Sequence, residues 1–143
     1  MARSRSDRRT SHSHRSAATA SSRTSRVNQG IHATNSVYAR IVDNIRAKAL
    51  STQELAEVTG VGVRQVLYWA AGDHRPRGES RDRLLEVEYI VNQLSEIYTP
   101  EGVEIWVHGR NRLLGGTKPI DRLREGDFES VLYAIEQLKS GSM

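Results

Sequence analysis

STQELAEVTGVGVRQVLYW, residues 51–69, encodes two short helices and the turn between them. Ser51-Thr52-Gln53-Glu54 has capping-box spacing: the Ser51 hydroxyl can accept from the Glu54 N–H while the Glu54 carboxylate accepts from the Ser51 N–H, which predicts a helix start at Thr52. Leu55, Ala56 and Val58 give that helix an apolar side. Thr59-Gly60-Val61-Gly62 breaks it with two glycines in a span too short for a free loop, and a second helix starts near Val63. On it Val66 and Trp69 share one side, and Arg64, Gln65 and Tyr68 point away. Small Ala56 four residues before Gly60 and the anchor Val66 six after it complete a helix-turn-helix pattern. Its candidate DNA contacts are Val63, Arg64, Gln65 and Tyr68, joined by Arg75 and Arg77. Short helical hairpins with a glycine turn also occur without nucleic acid.

Working outward, a helix is expected from Asn35 or Ser36 to Ala49, with Val37, Ile41, Ile45 and Ala49 at spacings of four. Ala70-Ala71-Gly72 closes the second helix of the pair, and Asp73 to Gly78 is a loop. Arg75, Arg77, Arg81 and Arg83 form the basic cluster of the folded body. The longest helix is expected from Ser80 to Tyr98, with Leu84, Val87, Val91, Leu94 and Tyr98 as its stripe, widened by Leu85, Ile90 and Ile97. Such a stripe suits the spine of a core and can also serve as a dimer seam. Thr99-Pro100-Glu101 starts another helix, with Thr as N-cap and Pro in the first position; it carries Val103, Trp106 and Val107 and stops near Gly109. After the loop Arg110–Gly116, Thr117-Lys118-Pro119-Ile120 opens a helix ending at Gly126. Asp127 caps the last one, whose apolar face is Phe128, Val131, Leu132, Ile135 and Leu138.

The fold class is therefore all-α: a helix-turn-helix N-terminal region, a long connecting helix and a small three-helix C-terminal unit. In that unit Trp106 is the expected core anchor and Gly115-Gly116 the point where two helices meet closely, while the Asn111 amide satisfies loop backbone groups. The domain boundaries are a basic disordered tail over 1–30, the helix-turn-helix region with its long helix over 31–98, and the C-terminal unit over 99–143.

Composition narrows the function classes. With no cysteine among 143 residues there is no disulfide framework or thiolate chemistry, which fits a reducing compartment, and no apolar run approaches a bilayer span; a soluble, cytoplasmic protein without membrane association is expected. Residues 1–30 carry seven arginines against Asp7, a balance of +6, so the overall +4 leaves −2 for the rest. That tail reads either as a polyanion-binding arm or as a solubilising leader. His12, His14, His32, His74 and His108 show no metal-ligand spacing, and there is no phosphate loop or nucleophile motif. An enzyme is not expected, nor a metal or cofactor.

The order Trp106, Asn111, Leu114-Gly115-Gly116-Thr117-Lys118-Pro119, Gly126 and an amphipathic helix ending at Gly141 resembles the antitoxins of the RES/Xre toxin–antitoxin systems, the Xre/MbcA/ParS group. With the helix pair upstream, the resemblance spans roughly residues 36–143. It implies a non-enzymatic protein that binds a RES-domain toxin, an enzyme consuming NAD, and masks its active site with the C-terminal region. It further implies a hetero-oligomer with that toxin, with homo-oligomerisation as the alternative, and repression of its own operon. Trp106, Asn111, Arg112, Leu114, Gly115, Gly116 and Pro119 become the toxin-binding residues, and Lys139, Ser140, Gly141, Ser142 and Met143 the inhibitory end. The chain departs from a DNA-reading pattern in two places. Gly62 stands where a Ser or Thr cap is usual, and Glu54 and Glu57 lie on the helix that would approach phosphates. DNA binding is thus the secondary expectation; a transcriptional regulator whose C-terminal unit merely dimerises is the alternative.

Overall fold

The computed structural model describes residue 30 and residues 33–141. The expectations for the arginine-rich tail, for His12, His14 and His32, and for Ser142 and Met143 fall outside the described residues. The chain divides into two units, residues 1–34 and residues 35–143. In the described part of the first, the Thr34 hydroxyl donates to the Gly30 carbonyl (3.2 Å).

All regular elements among the described residues are helical. Helix α1 is described over 33–48, followed by α2 (Thr52–Thr59), α3 (Val63–Ala71), α4 (Gly78–Ser95), α5 (Pro100–His108), a 3-10 turn (Arg112–Leu114), α6 (Pro119–Arg124) and α7 (Phe128–Ser140). The all-α expectation holds.

On α1 the buried stripe is Ile41, Val42 and Ile45, continued by Ala49 in the turn after it, whereas Val37, expected inside, is 45% exposed. Asn35 takes the inner position instead: its Nδ2 donates to the Gly72 carbonyl at the end of α3 (3.1 Å), and two residues further on a helix is the opposite side. The capping box of α2 is complete, with Glu54 N–H donating to Ser51 Oγ (3.1 Å) and Ser51 N–H to Glu54 Oε1 (2.9 Å). Ser51→Ala is expected to lower stability by about 1 kcal/mol; an unchanged thermal midpoint would contradict the cap. Gly60 then takes a left-handed conformation (φ 79°), its N–H donating to the Ala56 carbonyl, and Gly62 starts α3 with no side-chain cap.

Helix α4 begins two residues before Ser80 and ends three before Tyr98. Ser80 does not cap it but donates its hydroxyl back to the Arg77 carbonyl (2.8 Å). The early end follows from what comes next. Thr99 must be extended (φ −69°, ψ 167°) to cap α5 through the Gly102 N–H, and a residue before proline is pushed out of the helical region. Leu84, Val87, Ile90, Val91 and Leu94 are buried, but Leu85 and Ile97 are 38% and 40% exposed, so the stripe is narrower than the sequence suggests.

Helix α2 packs on α3, α4 and α6, while α4 packs on α5 and α7. The core, from Ile41 to Ile135, is therefore shared by the segments before and after residue 99. Its tryptophan is Trp69, only 1% exposed; Trp106, expected as a core anchor, is half-buried and packs against the core from its edge. No described helix is long and apolar enough to cross a membrane.

Candidate functional site

Between α5 and α6 the chain forms a small closed hairpin. Asn111 and Thr117 make an antiparallel bridge, with Asn111 N–H donating to the Thr117 carbonyl (3.0 Å) and Gly116 N–H to the Asn111 carbonyl (2.9 Å). Inside it the Asn111 side-chain oxygen accepts from the Leu113 N–H (2.9 Å), as expected of that amide. Gly115 and Gly116 are both left-handed (φ 67° and 84°), and a Cβ on either would meet nothing within 4 Å. The glycine pair is required by backbone conformation and not, as the sequence suggested, by helices in close approach.

Arg122 holds this hairpin. Its Nε donates to Thr117 Oγ1 (3.0 Å), Nη2 to the Leu114 carbonyl (3.1 Å) and Nη1 to Asp127 Oδ2 (3.1 Å). Asp127 also caps α7 through the Ser130 N–H (3.2 Å); Ser130 and Arg122 together keep its carboxyl below the usual aspartate range. One guanidinium thus fixes both the hairpin and the start of α7. Sequence reading passed over Arg122, because nothing local marks an arginine whose acceptors come from three elements. Leu114 and Pro119 are buried by the hairpin, whereas Arg112 and Leu113 are exposed.

At the other end of α7, Lys139 pairs with Glu96 (2.7 Å) and donates to Gln93, which anchors the helix to the end of α4. Gly141 closes α7 in a left-handed cap (φ 73°). Lys139, Ser140 and Gly141 are exposed.

A second constellation joins α2 to α5 and α6. His108 Nε2 lies 2.8 Å from Glu54 Oε2, and its Nδ1 lies 2.8 Å from the Glu104 carbonyl. Both partners are acceptors, so a doubly protonated ring satisfies both. Arg124 reaches Glu57 (2.9 Å), Asp121 (2.8 Å) and, at 3.9 Å, Glu54. Burial pushes the Glu54 carboxyl up, but the Ser51 N–H, His108 and the Ser51 hydroxyl outweigh it and leave it below the usual glutamate range. A depressed carboxylate stabilises the fold above its unfolded-state range and loses that contribution as pH falls through the folded value. Glu54→Gln keeps the capping box and removes the charge. It is expected to cost about 0.5–1 kcal/mol at pH 6 and less at pH 3, as urea unfolding would show; an equal gap at both would exclude the ion pair. The cluster borders a cleft of about 690 Å³ lined by Arg46, Lys48, Leu50, Glu104 and Ile105. Glu54 and His108 are far apart in sequence, which hid their pairing.

The residues expected to meet DNA are only partly outward. Arg64, Arg75 and Arg77 are exposed, and Tyr68, 36% exposed, packs its ring against His74 at 4.5 Å between centroids. Val63 packs against the core and Gln65 is half-buried. Arg83 leaves the expected basic cluster: it donates to the Val58 carbonyl (3.3 Å) and pairs with Glu79 (2.9 Å).

No family model matches the chain. It is 38% identical over 104 residues to the probable mycobacterial cidal antitoxin Rv3188 of Mycobacterium tuberculosis, a match covering 73% of this chain and 89% of that protein. The chain belongs to the mycobacterial cidal antitoxin family. A second member, the mycobacterial cidal antitoxin MbcA of Mycobacterium bovis, is 30% identical over 97 residues, or 68% of this chain and 86% of that one. In three dimensions the fold matches a chain of the crystal structure of the M. tuberculosis MbcT–MbcA toxin–antitoxin complex. The TM-score is 0.64 at 29% identity, covering 73% of this chain and 96% of the other.

Proposed function

We propose that this member of the antitoxin family is a non-enzymatic, cytoplasmic protein that binds a NAD-consuming RES-domain toxin and masks its active site with its C-terminal region. The observation that carries the reading is the 38% identity, over 89% of its length, to a protein named as an antitoxin. The antitoxin MbcA, whose complex with the toxin MbcT has been crystallised, makes a hetero-oligomer with a toxin the natural assembly. The geometry agrees: the hairpin and α7 are fixed at one point by Arg122, and the end of α7 projects exposed residues.

The test is to co-express the chain with the product of the gene adjoining its own, run the pair through size exclusion and assay NAD loss. A stable complex with NAD consumption suppressed is expected; two separate peaks would refute the reading. Removing residues 141–143 leaves the Lys139–Glu96 pair in place and is expected to keep the complex while restoring NAD loss. Full inhibition by the truncated chain would place the blocking surface elsewhere.

Repression of its own operon is the second activity we propose, supported by one observation. Glu54 and Glu57, the acids on the helix of the pair that would lie along phosphates, both face the Arg124 guanidinium within the chain, at 3.9 Å and 2.9 Å. Charge already neutralised internally repels a polyanion less. A shift of promoter DNA lost in Arg64→Glu would support it, and an unchanged shift would count against it.

A further inference from the structure

Two apolar residues of the motif that carries the family resemblance are unable to touch a partner. Leu114 is 2% exposed, and Pro119 is buried with it. What these residues do is hold the hairpin 110–118 so that other side chains face outward. Those are Arg110, Arg112 and Lys118, all exposed, and Leu113, 38% exposed on the 3-10 turn.

Charge and stiffness combine in this hairpin. Between Glu104 and Asp121 the sequence holds no acid, and Arg110, Arg112 and Lys118 have no ion-pair partner among the described residues. Arg110 donates only to the Gly116 carbonyl (3.1 Å). Elsewhere Arg46, Arg81, Arg83, Arg122, Arg124 and Lys139 meet acids, whereas Arg64, Arg75 and Arg77 share that lack of an ion pair but lie on α3 and the loop after it, without the hairpin's cross-bridges. The hairpin is thus a cationic spot, with an exposed leucine, in a body of net −2. It is also stiff: the Asn111–Thr117 bridge, the Asn111 side chain and the Arg122 guanidinium fix it before any encounter. Ordering that a free loop would undergo on binding is already complete, which favours affinity.

We infer that the hairpin tip, Leu113 with Arg110, Arg112 and Lys118, is the surface by which this chain recognises its toxin, and that the matching site is an apolar hollow edged by carboxylates. The inference rests on the toxin-binding reading and names its contact residues. A protein partner is favoured over nucleic acid because a leucine beside the cations gains by burial against apolar side chains and offers nothing to a phosphate. The cations steer the encounter and the leucine slows release.

The experiment compares the full-length chain with Arg112→Glu/Lys118→Glu and with Leu113→Asp, each measured against the adjoining gene product by association and dissociation kinetics at low and physiological salt. All altered positions are exposed, and circular dichroism melting is expected to match the parent. The charge-reversed chain is expected to associate about tenfold more slowly at low salt, and Leu113→Asp to dissociate about tenfold faster or more. Both variants within about twofold of the parent would overturn the surface while leaving the antitoxin reading intact. Variants that keep toxin binding but lose duplex DNA would make it a nucleic-acid contact and also overturn it. A parent chain that binds no adjoining gene product would remove the proposed function and this surface with it.

Discussion

Replacing Trp69 with alanine is expected to lower the unfolding free energy by about 3–5 kcal/mol, a large part of the 5–15 kcal/mol typical of a domain. The indole is 1% exposed and lies in a core with Leu55, Val58, Val66 and Leu84, each 0% exposed. Its removal leaves a void among side chains from three helices that cannot all relax into it. The same change at Trp106, half-buried at the core's edge, removes fewer contacts and opens onto solvent, so about 1–2 kcal/mol is expected. Urea unfolding of both variants, followed by circular dichroism, checks the order. A greater loss at Trp106 would restore it as the anchor that its place in the sequence suggests.

That reversal shows where sequence reading stops. Signals written within four residues were legible: the Ser51–Glu54 box, Thr99-Pro100 and the Asp127 cap each appear at the expected helix start. Periodicity located the apolar side of α4 but not its width. Whether Leu85 or Ile97 is covered depends on where α1, α5 and α7 lie, and no spacing within α4 carries that. Both tryptophans sit on helices beside valines, so local pattern could not rank them. In the candidate site, Asn111 was readable because it acts on its own loop. The left-handed pair Gly115-Gly116 was recognised as special but assigned the wrong reason. Arg122 and the Glu54–His108 pair were not readable, since each contact joins elements whose mutual placement is set by the core.

Leu113 and Leu114 give the second large contrast, between chemically identical neighbours. Leu114→Ala is expected to cost about 2–4 kcal/mol, because its side chain is 2% exposed beneath the hairpin and against α7. Leu113→Ala, 38% exposed, is expected to stay within about 0.5 kcal/mol of the parent. Toxin binding should separate them differently. Loss of Leu114 loosens the carbonyl that Arg122 grips, so binding weakens together with stability and recovers where the fold is held, for example at lower temperature. Loss of Leu113 weakens binding at constant stability. Thermal melts and dissociation rates measured on the same two samples decide it: if the stability loss fell on Leu113, the turn would be inverted and its outward face would be the one that carries Leu114.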